Sequence, residues 1–247
     1  AGGTGGHIYP ALAIINKIKE EEPDSEILYI GTTDRMEKDL IPSLGYKYEA
    51  LEVKGLKRKL TLDNIKTVTC FISAIKRAKE IIKDFDPDIV IGCGGYVTAP
   101  VIYAAKKLGK RTFIHEQNSV VGLANKFLSR YTDKVGVSFE STIKDFPKDK
   151  AILTGNPCSE KALSIKATTK DKKLVLIVMG SLGSRSVNDR IFSFVDKFRN
   201  KNYSVIIVTG NSYYERVKER RVPDNVKVVP FIYEMPSVMK ITDLMVT

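Results

Sequence analysis

The chain has 247 residues, 43% of them hydrophobic, and a formal net charge of +11 at pH 7. That is room for one large domain or two modest ones with a real core, and the charge favours anionic partners: phosphorylated compounds, nucleic acid or an acidic membrane surface. Cys70, Cys93 and Cys158 are dispersed, odd in number and lack metal-ligand spacing, which excludes a disulfide scaffold and points to free thiols in a reducing compartment; no signal peptide or membrane-spanning run is visible in these residues, so a cytosolic protein at most resting on a membrane is expected.

The chain opens on Ala1-Gly2-Gly3-Thr4-Gly5-Gly6-His7-Ile8-Tyr9-Pro10, followed by a helical pattern with Leu12, Ile15 and Ile18 apolar and Lys17, Lys19 and Glu20 between them. Glycines let a backbone turn tightly and approach a ligand, and a helix opening after such a turn aims its free N–H groups and positive dipole end at the loop. That suits a phosphate or diphosphate. His7 falls in the first helical turn, where an imidazole can exchange a proton near neutral pH. The loop is neither a dinucleotide fingerprint, since Ile8 stands where the third glycine is needed, nor a P-loop, since Gly109-Lys110 is followed by Arg111. The plain alternative is a tight turn or a glycine-rich terminus. Such a loop ordinarily follows a buried strand, so a short strand ahead of Ala1 is expected; residues 243–247 read as a strand entering the core, so further chain beyond Thr247 is expected as well.

Strand-like runs then alternate with amphipathic helices, the pattern of a parallel sheet with crossover helices. The spacing predicts a strand at 26–30, a short helix at 35–41 and a strand at 48–53. Residues 54–83 stand apart: Lys54, Lys57, Arg58 and Lys59 precede a long helix carrying Leu62, Ile65, Val68, Phe71, Ile72 and Ile75, with Lys66, Lys76, Arg77, Lys79 and Lys83 among them. This is either a core-facing stripe with a solvated basic face or a basic, partly apolar surface for anionic lipid.

Asp86-Pro87-Asp88 turns into a buried strand at 89–91, and Gly92-Cys93-Gly94-Gly95-Tyr96 leads into a helix over 97–108, a second loop ready for an anion or a sugar. A strand at 111–114 ends in His115-Glu116-Gln117-Asn118, polar side chains where an open α/β sheet places its ligand crevice; the plain alternative is a polar loop with Asn118 capping a turn. Strands at 134–137 and 150–153 follow, the second closed by Thr154-Gly155-Asn156-Pro157. Residues 159–173 are polar and read as a linker. The pattern restarts with a strand at 174–178, a third glycine loop at Met179-Gly180-Ser181-Leu182-Gly183-Ser184, a helix over 185–198, strands at 204–208 and 226–229, and a short helix after Pro230-Phe231-Ile232-Tyr233-Glu234. The expected fold is α/β: a Rossmann-like domain at 1–158 without its first strand, a linker at 159–173, and a partial Rossmann-like domain at 174–247, facing one cleft.

The motifs Gly2 to His7, Gly94-Gly95-Tyr96-Val97, His115 to Asn118, Thr154 to Pro157, Gly180 to Ser184 and Phe231-Ile232 occur in this order and at about this spacing in the bacterial peptidoglycan N-acetylglucosaminyltransferases of glycosyltransferase family 28, which the chain resembles over essentially its whole length. The resemblance implies a GT-B fold and an inverting transfer of N-acetylglucosamine from UDP-GlcNAc to the C4 hydroxyl of lipid I, the undecaprenyl-diphosphate-linked N-acetylmuramoyl-pentapeptide, to make lipid II. It implies no metal or other cofactor and a place on the cytoplasmic face of the cell membrane, with residues 54–83 as the anionic-membrane surface. Thr4, Gly5 and Gly6 resemble the loop near the donor sugar and acceptor diphosphate; Gly94, Gly95 and Tyr96 belong to the second substrate loop; Asn118 resembles a donor-contacting asparagine. Ser181, flanked by Gly180 and Gly183, resembles the serine that meets the UDP phosphates, and Ile232 the residue whose backbone reads the uracil. His7 is the preferred general base and Glu116 its rival, as base or as the group that orients one; such a base contributes about 10²–10⁴-fold in rate.

Three departures from the family pattern stand out. Met179 replaces a glycine, Cys158-Ser159 stands where an arginine is common, and the chain stops before the family's last nucleotide-gripping signatures, so poor donor binding and little turnover are expected of these 247 residues alone. Competing readings are a UDP-GlcNAc 2-epimerase of the same architecture, in which residues 54–83 have no purpose; a dinucleotide oxidoreductase, which lacks an acid after Ile30-Gly31; and a nucleic-acid binder, which lacks stacking aromatics among its lysines.

Overall fold

In a computed structural model, the alternating apolar runs become parallel strands joined by crossover helices. The structure describes residues 1–53, 62–159, 172–180, 183–232 and 235–247, without the side chains of 62–66 and 68. It divides into two compact units, Ala1–Ser159 and Glu160–Thr247. The expected linker falls largely on residues 160–171, outside the described residues.

The first unit begins with α1 (Gly5–Glu21), β1 (Leu28–Thr32), α2 (Glu37–Ser43) and β2 (Lys47–Leu51), with β1 and β2 paired in parallel. The helix α3 (Leu62–Phe85) leads to β3 (Ile89–Gly92), then α4 (Thr98–Lys107), β4 (Arg111–Glu116), α5 (Leu123–Leu128), β5 (Lys134–Val137), a 3-10 turn (Glu140–Asp145) and β6 (Ala151–Leu153). β3 to β6 form a parallel sheet in chain order. Its core joins Ile81 and Ile82 of α3, Val101 and Ile102 of α4, and Ile114, Val135 and Val137 of the strands; each such burial contributes about 1.5–3 kcal/mol. A second cluster of Ile8, Leu12, Ile15, Tyr29 and Ile41 seats α1 on β1 and α2.

The second unit holds β7 (Lys173–Val178), α6 (Arg185–Ser193), a 3-10 turn (Val195–Phe198), β8 (Tyr203–Val208), α7 (Asn211–Val217), β9 (Val226–Val229), α8 (Met235–Lys240) and β10 (Leu244–Val246). The parallel strand order is β10-β7-β8-β9, with apolar clusters built on Ile207 and on Leu176.

Several expectations need correction. β4 runs on through His115 and Glu116, because both pair with β5, so these two side chains are buried within a strand rather than carried on a loop. β2 stops at Leu51, where its partner β1 ends at Thr32. The helix expected over 185–198 breaks at Phe194, whose φ of −129° leaves the helical region. The strand expected at the end of the chain is β10, paired in parallel with β7 and exposed at all three residues. Two short helices, α5 and α7, escaped the periodicity reading.

The buried stripe of α3 is Ala74, Ala78, Ile81 and Ile82, while Ile72 is exposed and Arg77 pairs with Glu49 and Glu80. The basic residues at 54–59 and the side chains of Leu62, Ile65, Lys66 and Val68 lie outside the described residues, and with them most of the expected membrane-binding surface. Among the described residues no helix is long and apolar enough to cross a membrane.

Candidate functional site

The glycine loop at the start of the chain, the loop after β3 and the loop after β4 meet in the first unit. Thr4 caps α1 in an extended conformation without a side-chain capping hydrogen bond, and its carbonyl receives the first helical N–H groups, those of His7 and Ile8. The N–H groups of Gly5 and Gly6 belong to the helix's first turn, which has no helical acceptor for them. Gly95 packs directly on this loop: at φ +86°, a Cβ there would overlap the Gly2 carbonyl oxygen, so only glycine lets the two loops touch. Thr98 Oγ1 donates to the Gly94 carbonyl at 2.6 Å and holds the second loop from inside α4. Tyr96 projects outward, 66% exposed.

His7 lies over Gly94, where a Cβ would stand 2.9 Å from the imidazole Nε2. Its Nδ1 is 3.2 Å from the Gly2 carbonyl and 3.4 Å from Thr4 Oγ1. A carbonyl only accepts, so this contact puts the proton on Nδ1 and leaves the Nε2 lone pair available. Burial pushes the His7 pKa below 6.5 against the opposing pull of the Gly2 contact, so the ring is neutral at pH 7.

Glu116 is buried, and both its oxygens are engaged. Oε1 accepts from the Asn118 backbone N–H at 3.0 Å and from Asn118 Nδ2 at 2.8 Å; Oε2 accepts from Gly122 N–H at 2.9 Å and Asn125 Nδ2 at 3.0 Å. It organises the loop that presents the exposed Asn118. Gln117 bridges all three segments, its Nε2 donating to the carbonyls of Gly6 at 2.8 Å and Cys93 at 2.7 Å. His115 is buried, with Nε2 donating to the Gly155 carbonyl at 3.0 Å, a structural tie between the ends of β4 and β6.

The structure therefore brings together Thr4, Gly5, Gly6, His7, Gly94, Gly95 and Asn118, with Tyr96 beside them. In the second unit, Gly180 and Gly183 flank the loop before α6; Ser181 lies outside the described residues. A Cβ on Gly183, at φ +72°, would overlap the Thr209 carbonyl, to which Asn188 Nδ2 donates at 2.9 Å. Ile232 packs its side chain beneath the sheet beside Leu176 and Val178. Sequence reasoning had not given Gln117, Thr98, Asn188 or Asn125 positioning roles. One signal was readable: Asn188 is a polar residue on the apolar face of α6, with Ile191 and Phe192. Among the described residues no group of three or more His, Cys, Asp or Glu side chains could hold a metal ion.

Parallel sheets with glycine loops at their strand ends, in two units, define an α/β protein built of Rossmann-like units. Residues 1–137 match the glycosyltransferase family 28 N-terminal domain and residues 174–247 its C-terminal domain. A UDP-N-acetylglucosamine--N-acetylmuramyl-(pentapeptide) pyrophosphoryl-undecaprenol N-acetylglucosamine transferase from Bacillus cytotoxicus is 45% identical over 258 aligned residues, covering 100% of this chain and 71% of that protein. The transferase of that name from Leuconostoc mesenteroides is 46% identical over 257, with the same coverage. The chain belongs to this family of N-acetylglucosamine transferases within glycosyltransferase family 28. The crystal structure of Acinetobacter baumannii MurG superposes with a TM-score of 0.66 at 26% identity, covering 99% of this chain and 71% of that one. The S. aureus MnaA–UDP co-structure, at 13% identity, TM-score 0.65 and coverage of 99% and 71%, shares the fold.

Proposed function

We propose that this protein transfers N-acetylglucosamine from UDP-GlcNAc to the C4 hydroxyl of lipid I, making lipid II for peptidoglycan. The observation that carries this reading is the 45% identity, without loss of coverage along this chain, to transferases named for that reaction.

His7 serves as the general base. As the acceptor oxygen bonds to the anomeric carbon, the bond from that carbon to the UDP oxygen breaks, the hydroxyl proton passes to His7 Nε2, and UDP departs with the negative charge. The neutral ring and free Nε2 support this role. Glu116, with its oxygens saturated, orients Asn118 toward the donor rather than acting as a base. Thr4, Gly5 and Gly6 offer backbone donors to the acceptor diphosphate, and Gly94, Gly95 and Tyr96 shape the acceptor side. In the second unit the loop of Gly180, Ser181 and Gly183 and the start of α6 stabilise the departing diphosphate, while the Ile232 backbone reads the uracil. Residues 54–83 rest on the anionic cytoplasmic face of the cell membrane, not on nucleic acid.

The deciding measurement is UDP release from UDP-GlcNAc in enzyme of the relatives' full length, with and without a soluble lipid I analogue. Release that needs the analogue is expected; release of ManNAc without any acceptor would identify an epimerase instead. His7→Ala is expected to lose most turnover and keep donor binding, and unchanged turnover would remove His7 from the mechanism. Partition of the protein to anionic vesicles rather than oligonucleotides is the corresponding test of the membrane surface.

A further inference from the structure

Glu37 opens α2 and is fully buried, yet it carries a carboxyl group into the core. Such a group is costly to bury unless its oxygens find donors. Oε1 finds three, Thr32 Oγ1 at 2.6 Å, Thr32 N–H at 3.1 Å and Gly3 N–H at 3.1 Å, whereas Oε2 is buried without a hydrogen bond among the described residues, so the group is held entirely through Oε1. The surroundings are cut to admit it. A Cβ on Gly2 would overlap Oε1, and one on Gly31 would stand 2.8 Å from the Glu37 Cγ.

The Gly3 N–H and the Gly2 carbonyl belong to one peptide unit. Its N–H is held by Glu37, and its carbonyl receives His7 Nδ1 at 3.2 Å. A trans peptide points these two groups in opposite directions, so one plane is gripped from both sides. Between two glycines that plane would otherwise be unusually free to rotate. Rotation would withdraw the carbonyl from Nδ1 and remove what selects the tautomer with Nε2 unprotonated.

We propose that Glu37 is a positioning residue for His7: by anchoring the Gly3 N–H it locks the Gly2–Gly3 peptide so that the Gly2 carbonyl fixes the imidazole's tautomer and direction. The catalytic part of this inference rests on His7 acting as the base; the tautomer part does not.

The test pairs Glu37→Ala with Glu37→Gln, which keeps an acceptor oxygen of the same reach. In the 247-residue chain without substrate, the 15N shifts of His7 are expected to report a single Nδ1–H tautomer in the unsubstituted protein and in Glu37→Gln, and a mixture in Glu37→Ala. In full-length enzyme, Glu37→Ala is expected to lower kcat about 10- to 100-fold with KM for UDP-GlcNAc changed less than about threefold, and Glu37→Gln to restore kcat to within about threefold. If Glu37→Ala does not fold, Glu37→Asp, which keeps the carboxyl but falls short of Gly3, is read by the same shifts and rates. An unaltered tautomer in Glu37→Ala or Glu37→Asp, or a Gln variant as impaired as the alanine one, would overturn the proposal. Loss of acceptor-dependent UDP release in the unsubstituted enzyme would instead overturn the functional reading and leave the tautomer result standing.

Discussion

Gln117 supplies the hydrogen bond that Pro10 cannot. Pro10 sits inside α1 without an N–H, so the carbonyl of Gly6, four residues earlier, has no helical donor; Gln117 Nε2 reaches it at 2.8 Å from 111 residues away. The same amide nitrogen holds the Cys93 carbonyl at 2.7 Å, so one side chain ties the first helix to the second glycine loop.

Gln117→Ala should therefore leave two carbonyls short of a donor, at about 1–3 kcal/mol for each that stays buried and unmet. Gln117→Glu should be worse, because it turns acceptor oxygens toward both carbonyls. Thermal unfolding is expected to rank the unsubstituted chain above Gln117→Ala and Gln117→Ala above Gln117→Glu. An equal or reversed order for the two variants would mean that the amide's donor role does not hold the loops together.

Gly95 and Gly109 both have positive φ, +86° and +75°, but only Gly95 has backbone where a Cβ would go; around Gly109 nothing lies within 4 Å. Gly109→Ala should cost only the conformational strain, about 1 kcal/mol, whereas Gly95→Ala must also push the Gly2 carbonyl away and should cost at least about 2 kcal/mol more. Urea denaturation of the two variants measures the difference directly.

Burial pushes both histidines, His7 and His115, below 6.5. The unfolded chain takes up these protons near 6.5 and the folded chain only at lower pH, so between those limits the unfolded state binds more protons and stability falls on acidification. Unfolding free energy is expected to decline as pH drops through 6.5 and to level off below the folded-state values. His115→Asn should remove at most about 1.4 kcal/mol per pH unit from that slope. In full-length enzyme the acid limb of kcat/KM should lie below 6.5 for the same reason, and a limb above 6.5 would contradict a buried neutral base at His7.

Burial pushes the Cys93 thiol up to about 11, whereas Cys70 and Cys158 are only half-buried. The thiolate is the reactive form, so a disulfide reagent at pH 8 should modify Cys93 far more slowly than the other two in the native protein, and all three alike in denaturant. Rapid native labelling of Cys93, mapped by mass spectrometry, would show that the loop above β3 opens readily.

The alternation of strand, glycine loop and helix was legible in the sequence because each depends on neighbours close along the chain. The run at Lys173–Val178 is apolar enough to be a buried strand wherever it lies, and Gly94-Gly95 can only be a turn or a close approach. His7 could be placed in the first turn of α1 from local spacing alone. The roles of Glu116, Gln117 and Glu37 could not be read that way. Glu116 reads as a free carboxylate at a strand end until strand pairing buries it and Asn118, Gly122 and Asn125 occupy both oxygens. Gln117 gains its purpose from a proline in α1, and Glu37 from a peptide plane 34 residues away. Local propensity and periodicity determine which segments become strands, loops and helices. Which polar group holds which loop is settled only when tertiary packing removes water and leaves each buried donor and acceptor to find its partner across the chain.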